Sequence, residues 1–155
     1  MLNDVPLRVL VVDSESLLCW ALRETLMAAG MAVAHAQSPH AALGMLVNEG
    51  DAFDIVLLDY PLPDPRASTF LRALKQLAPA LPVVAMSAFW TAERVDEALR
   101  QGVARLVSKP LEMHDAADLV RDVVAASHPR PAYGAGPSSI APEARTAGSD
   151  SALRE

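Results

Sequence analysis

The sequence contains one cysteine, Cys19, and this scarcity excludes a disulfide within the chain. No apolar run approaches the roughly 20 residues of a membrane span, and the N-terminus lacks the features of a signal peptide. A reducing compartment and a cytoplasmic protein are therefore expected. Because Cys19 falls in a predicted helix, we interpret it as a small buried side chain, with a reactive thiol as the alternative.

Aromatic residues and positive charges are also scarce. Aromatic side chains make up 5% of the chain, so the core has to be mainly aliphatic. Lys and Arg number 13 against 19 Asp and Glu, which gives a formal net charge of −6. A surface of this sign repels phosphate backbones and anionic lipid, so nucleic acid and membranes are not expected as partners.

Five short apolar runs, rich in Val, Ile and Leu, alternate with segments of helical length. The runs cover residues 8–12, 31–36, 55–58, 83–86 and 105–107. Their near-continuous apolarity indicates strands that are covered on both faces. The alternation predicts a doubly wound α/β fold, with a five-stranded parallel sheet between two layers of helices.

Helix boundaries and a change of composition complete this outline. Ser16 and Ser38 are predicted N-caps, and Gly30 and Gly102 are predicted left-handed residues at helix C-termini. From residue 128 the chain is rich in Pro, Gly, Ser and Ala and has few large apolar residues. We therefore predict one domain over 1–127 and a flexible tail over 128–155, whose role the sequence leaves open.

Polar side chains stand where the predicted strands end. Asp13 ends the first strand, Asp59 the third and Ser87 the fourth, and Lys109 follows the fifth. The carboxyl ends of parallel strands meet at one edge of a sheet, where ligands bind in this architecture. The sequence thus predicts a small acidic pocket with Asp59 at its centre and Lys109 facing it.

At this point the chain resembles the response-regulator receiver family in its single-domain, chemotaxis-type form. The resemblance runs from about residue 7 to residue 126 and rests on four blocks, VLVVD at 9–13, DIVLLDYPLP at 54–63, VVAMSAF at 83–89 and VSKPL at 107–111. It implies a flavodoxin-like (βα)5 fold and a two-component signalling protein, which is a phosphoacceptor that assists its own phosphorylation and dephosphorylation rather than an enzyme.

The same resemblance implies roles for the strand-end residues. Asp59 would accept the phosphoryl group, Lys109 would contact it and Ser87 would be the switch hydroxyl. Asp13, Asp59 and the backbone carbonyl of Pro61 would hold Mg²⁺. A divalent cation suits this chemistry because it removes the repulsion between a carboxylate and an anionic phosphoryl donor.

Three positions depart from the family pattern. Ser14 stands where a second acid is usual, so Mg²⁺ binding is expected to be weak, with Ser14 or Glu15 as an additional ligand. Leu106 replaces the usual aromatic switch residue. Phe89, two residues after Ser87, suggests the hypothesis that its ring shields a phosphoryl group from water.

The resemblance implies two kinds of protein partner. A histidine kinase or phosphotransfer protein would donate phosphate, and an unidentified downstream protein would bind the face of the fourth helix, fifth strand and fifth helix. The main alternative is a pseudo-receiver, a binding scaffold that does not cycle phosphate, which Ser14 and Leu106 favour. A flavodoxin-like enzyme or nucleotide-binding protein is disfavoured because no Gly-rich loop follows the first strand.

Two sets of side chains keep simpler interpretations. The charged residues of the fourth predicted helix, Arg94 among them, are interpreted as a solvated face. Trp90 is assigned either to local packing or to a partner-binding surface, and Trp20 to buried or half-buried helix packing.

Overall fold

The computed structural model of the protein describes residues 5–49, 52–60 and 65–127. Its strands are β1 (Arg8–Val12), β2 (Ala32–Ala36), β3 (Ile55–Asp59), β4 (Val83–Ser87) and β5 (Arg105–Ser108). Its helices are α1 (Ser16–Ala28), α2 (Pro39–Glu49), α3 (Pro65–Leu77), α4 (Ala92–Arg100) and α5 (Met113–Ser127). Each predicted strand agrees with the observed one to within one residue at either end.

The five strands form one parallel sheet in the order β2-β1-β3-β4-β5. Successive strands wind outward from β1 in both directions, so helices cover both faces. Alternate strand residues divide between two apolar clusters. Residues such as Leu10 and Leu58 pack with α2, α3 and α4, whereas Val11 and Leu57 pack with α1 and α5. The doubly wound, three-layer, flavodoxin-like fold is therefore confirmed.

Most of the predicted helix boundaries are observed. The Ser38 hydroxyl accepts a hydrogen bond from the Ala41 amide at 3.1 Å, as an N-cap does at the start of α2. Gly30 and Gly102 have φ angles of 91° and 87°, which side-chain-bearing residues seldom adopt. The N-cap of α1 was predicted one residue late, since Glu15 occupies that position and Ser16 already belongs to the helix. The Asp13 carboxylate fixes the Glu15 amide at 2.8 Å and so starts the turn earlier.

Of the two α1 side chains predicted to be buried, Cys19 is buried and Trp20 is exposed. Cys19 is buried, and burial, with help from the Asp13 charge, raises the pKa of its thiol to about 12, so a small buried side chain is the better interpretation. Trp20 is 60% exposed, so its predicted burial was wrong. Cys19 and Leu22 face the sheet, and the helical period turns Trp20 toward solvent.

Some predictions lie outside the described residues, namely the carbonyl of Pro61 and the tail over 128–155. Within the part of the chain that is described, no helix is long and apolar enough to cross a membrane.

Candidate functional site

Three charged side chains meet at the carboxyl edge of the sheet because of strand periodicity. Val11, Leu57 and Val107 belong to the apolar cluster on the α1 and α5 side. Two residues after each of these stand Asp13, Asp59 and Lys109, and the two-residue period of a strand directs their side chains to the same side of the sheet. The apolar strands thus aim all three charged groups at one point.

The lysine bridges the two carboxylates directly. Its Nζ atom lies 2.8 Å from Oδ1 of Asp59 and 3.1 Å from Oδ2 of Asp13. The side chains of Asp13, Lys109 and Asp59 are 1%, 12% and 19% exposed, in that order. Asp59 is therefore the carboxylate most open to an incoming group, and the predicted arrangement of Asp59 opposite Lys109 is what the structure contains.

Asp13 is held from several directions. Its Oδ1 atom accepts the Glu15 amide at 2.8 Å, while Oδ2 faces Lys109. Its carbonyl oxygen, which can only accept, lies 2.9 Å from Nε2 of His35 and 3.5 Å from the Cys19 thiol. Asp13 is thus a fixed, buried charge, and its main role in the geometry is to position the Lys109 ammonium.

The site carries more negative than positive charge. Burial raises the pKa of the Asp59 carboxyl, and the neighbouring Asp13 charge raises it further, against the opposing effect of Lys109. Burial alone would lower the pKa of Lys109, but its hydrogen bonds to Asp59 and Asp13 outweigh burial and raise it. Two carboxylates against one ammonium leave an excess of negative charge that favours binding of a cation.

The donor atoms fit a Mg²⁺ ion that keeps several water ligands better than one coordinated by protein atoms alone. Both oxygens of Asp13 already accept hydrogen bonds, and the side chains of Ser14 and Glu15 are exposed beside it. No group of three or more acidic, His or Cys side chains over 5–49, 52–60 and 65–127 has the arrangement of a metal site. Mg²⁺ takes oxygen ligands and commonly keeps several waters, so one or two carboxylates are a compatible set.

Ser87 lies in a different environment from the charged cluster. Its neighbours two and four residues back, Ala85 and Val83, pack on the α2, α3 and α4 side. Its hydroxyl donates to the Phe89 carbonyl at 3.2 Å and accepts from the Phe89 amide at 3.1 Å and from Arg94 at 3.2 Å. Its contact with Lys109 runs through the main chain, where the Lys109 amide donates to the Ser87 carbonyl at 2.8 Å.

Arg94 and Tyr60 are site neighbours that sequence reasoning missed. The predicted solvated position of Arg94 was wrong, because its guanidinium is half-buried and donates to the Tyr60 carbonyl at 2.8 Å. Its Cζ atom lies 5.6 Å from the ring centroids of Tyr60 and Trp90, which are stacked. The available signal was an aromatic residue directly after Asp59 and another three residues after Ser87.

Trp90 and Leu106 fill the space on the same side. The indole nitrogen of Trp90 donates to the Val107 carbonyl at 2.9 Å, which supports local packing over an exposed partner surface. Leu106 is half-buried and packs against the same apolar cluster as Trp90. The ring of Phe89, by contrast, is 68% exposed.

Comparison with known proteins gives a consistent match. A family model for the response regulator receiver domain matches residues 9–121. The response regulator protein FleR of Pseudomonas aeruginosa is 35% identical over 113 residues, which cover 73% of this chain and 24% of that protein. The transcriptional regulatory protein ZraR of Salmonella typhimurium is 36% identical over 104 residues, which cover 67% of this chain and 23% of that protein. The chain thus spans about a quarter of the length of these curated relatives.

Solved structures agree on the fold. A CheY-like receiver domain protein from Methanospirillum hungatei superposes with a TM-score of 0.71 at 20% identity, over 79% of this chain and 97% of that one. NtrX from Brucella abortus superposes with a TM-score of 0.70 at 24% identity, over 79% of this chain and 28% of that one. At this level of identity the likeness concerns the fold alone.

Proposed function

Since the chain belongs to the response regulator receiver domain family of two-component systems, we propose that it signals by accepting a phosphoryl group on Asp59. The observation that carries this proposal is the 2.8 Å contact between Asp59 Oδ1 and the Lys109 ammonium. It supplies a nucleophilic oxygen and a fixed positive charge at one partly open site. The proposed donor is a histidine kinase or a phosphotransfer protein.

Transfer of the phosphoryl group to Asp59 requires little covalent participation from other protein groups. An oxygen of Asp59 forms a bond to phosphorus while the bond from phosphorus to the donor's nitrogen breaks, and the electron pair leaves with that nitrogen. Positioning and charge neutralisation dominate such transfers. Lys109, held by Asp13, would shift its ammonium toward the new phosphoryl oxygens. In this proposal the chain is a phosphoacceptor that is consumed and regenerated, rather than an enzyme acting on a separate substrate.

Receiver domains generally bind Mg²⁺ at the phosphorylation site, and we propose that Asp59 and Asp13 hold it in this chain, with the carbonyl of Pro61 as a further ligand. When bound, the cation neutralises the repulsion between carboxylate and phosphoryl donor. Ser14 offers a neutral oxygen where a carboxylate would bind more strongly, so weak Mg²⁺ affinity is part of the proposal.

The output proposed is a protein contact made in the cytoplasm by the surface of α4, β5 and α5. Leu99, in the last turn of α4, is 52% exposed and offers an apolar side chain to such a partner. The acidic net charge of −6 speaks for protein rather than nucleic-acid partners of this chain.

The test is direct phosphorylation with a small phosphodonor and Mg²⁺, followed by intact mass measurement. The wild-type protein should gain one phosphoryl mass, and Asp59→Asn should gain none. Beryllofluoride binding, followed by tryptophan fluorescence, supplies a second readout that needs no covalent bond.

A pseudo-receiver scaffold is the competing function, and one observation favours it. The Ser87 hydroxyl is fully engaged by Phe89 and Arg94 and so is not directed at Asp59. Absence of any adduct at millimolar Mg²⁺, for both phosphodonor and beryllofluoride, would falsify the phosphoacceptor proposal and leave the scaffold as the function.

A further inference from the structure

The guanidinium of Arg94 ties together three parts of the chain around the carboxyl edge of the sheet. It donates from Nη2 to the Tyr60 carbonyl at 2.8 Å, and from Nη1 to the Phe89 carbonyl and to the Ser87 hydroxyl. It also lies 5.6 Å from the ring centroids of both Tyr60 and Trp90. Among the ion pairs of the described residues, none involves Arg94. This charge is therefore balanced by oxygen dipoles and aromatic faces rather than by a carboxylate.

The Ser87 hydroxyl has no hydrogen-bonding capacity left. A serine hydroxyl offers one donor and two acceptor positions. The donor goes to the Phe89 carbonyl, and the acceptors receive the Phe89 amide and Arg94. A hydrogen bond from Ser87 to a phosphoryl oxygen would therefore require the hydroxyl to leave the Phe89 carbonyl, which Arg94 also holds.

We propose that Arg94 is a positioning residue that latches the Ser87 loop closed while Asp59 is unmodified. The inference rests on the proposed function and adds its regulation. A phosphoryl group on Asp59 adds negative charge next to Tyr60 and competes for both the Ser87 hydroxyl and the Arg94 guanidinium. Once these bonds are exchanged, the loop from Ser87 to Thr91 and the first turn of α4 are released.

The latch also accounts for signalling without an aromatic residue at position 106. The Tyr60 and Trp90 rings stack with centroids 5.6 Å apart, and the Trp90 indole is hydrogen-bonded to the Val107 carbonyl of β5. Movement of Arg94 changes the packing of Trp90 and hence the contact between the Ser87 loop and β5. In this chain the ring that reports the state of the site comes from position 90.

The experiment compares Arg94→Met with Arg100→Met, both in a Trp20→Phe background. Arg94→Met keeps an unbranched side chain but removes every donor. Arg100→Met is the matched control on the same helix, because Arg100 is exposed and contacts the carbonyl of Asp96 in its own helix. Trp20 is exposed on α1, so its removal leaves Trp90 as the one fluorophore of its kind.

In the unmodified protein, Arg94→Met should shift Trp90 emission to the red and speed amide exchange in the first turn of α4 by about threefold to tenfold, the equivalent of one ordinary hydrogen bond. Phosphorylation from a small donor should also accelerate by about that factor, since the closed state no longer competes. Arg94→Lys, which keeps the charge but loses the forked donors, should behave like Arg94→Met. Wild-type emission, exchange and labelling rate in Arg94→Met would overturn the latch.

The two proposals fail separately. If neither the wild-type chain nor Arg94→Met acquires phosphate, the phosphoacceptor function is wrong, and the emission and exchange data still decide whether Arg94 holds the loop. If Arg94→Met is labelled and the wild type is not, the latch is supported and explains why Asp59 of the wild type is not phosphorylated. If both are labelled at equal rates, the function stands and the latch is wrong.

Discussion

The ammonium of Lys109 lies 2.8 Å from the Asp59 carboxylate even though β4 separates the strands that lead to these two residues. The contact spans the sheet edge because Lys109 lies in the connection beyond β5. The Lys109 amide donates a hydrogen bond to the Ser87 carbonyl at the end of β4, which brings the lysine toward β3. The same ammonium is steadied from the other direction by the buried Asp13. A single cation thus links the ends of β1, β3 and β5.

Replacement of Asp59 by Asn is expected to stabilise the fold at neutral pH. The folded-state pKa of Asp59 is raised above its ordinary value of 3.8 by burial and by Asp13, so the folded protein binds this proton more tightly than the unfolded chain does. The resulting stability exists below pH 3.8 and is lost as the pH rises through the folded-state pKa. Asp59→Asn should raise the Tm at pH 7 by about 3 to 6 °C.

This gain should shrink as the pH falls through the raised folded-state pKa, and it should be absent below pH 3.8, where the carboxyl is protonated in both the folded and the unfolded wild type. Asp118→Asn, on the exposed surface of α5, is the control; it loses only an exposed 3.5 Å ion pair with Arg121, which contributes little, so the Tm should stay nearly unchanged. Thermal unfolding followed by circular dichroism at several pH values checks both variants. A Tm of Asp59→Asn below that of the wild type at pH 7 would contradict the charge excess.

Replacement of Lys109 by Met is expected to destabilise the protein and to abolish labelling of Asp59. The pKa of Lys109 is raised in the folded state, so its contribution is complete below the ordinary value of 10.5 and is lost only as the pH rises through the raised one. At pH 7 the variant leaves two carboxylates without their cation, and the Tm should fall by about 5 °C or more. In the Lys109→Met background, Asp59→Asn should raise the Tm by more than it does in the wild type, because it removes a carboxylate that has lost its cation; an equal gain in both backgrounds would mean that the Lys109–Asp59 contact contributes no coupling energy.

Substitution of Ser14 by Asp is expected to strengthen Mg²⁺ binding by about tenfold or more, because an exposed neutral oxygen beside Asp13 becomes a carboxylate. The measurement is the Mg²⁺ dependence of labelling by a small phosphodonor, with Trp90 fluorescence in a Trp20→Phe background as an independent signal. Glu15→Gln is the companion variant. A drop in Mg²⁺ affinity in Glu15→Gln would identify Glu15 as a ligand, whereas unchanged affinity in Ser14→Asp would place the weak point of the pocket elsewhere.

Truncation of Phe89 to Ala tests whether its ring shields a phosphoryl group from water. The ring is 68% exposed in the unmodified protein, so the substitution should change the free energy of unfolding by no more than about 0.5 kcal/mol. The lifetime of phosphorylated Asp59, followed by intact mass after removal of the donor, should nevertheless shorten. An unchanged lifetime would mean that the ring remains in solvent when the site is modified.

The fold and the charged cluster were accessible from sequence, whereas the surroundings of Ser87 were not. Apolar runs bounded by acids, hydroxyls and a lysine predict both parallel strands and the edge where they end, which accounts for Asp13, Asp59 and Lys109. Arg94 escaped because a charged residue in a polar helix looks solvated, and only the three-dimensional approach of Tyr60 and Trp90 provides acceptors and aromatic faces for it. The prediction for Trp20 was wrong for the opposite reason. A large apolar residue in a helix predicts burial, but its presence alone does not show whether it lies on the face toward the sheet or on the face toward solvent.

The parallel sheet also separates two kinds of loop. Turns that contain Gly30, Pro79 and Gly102 lie between a helix and the next strand, at the amino edge, whereas every residue of the charged cluster lies at the opposite edge. Insertions at the amino edge therefore leave the chemistry untouched. A fluorescent tag or affinity peptide inserted at Pro79, in an exposed turn, would give a tethered or imaged version of this protein whose site is native.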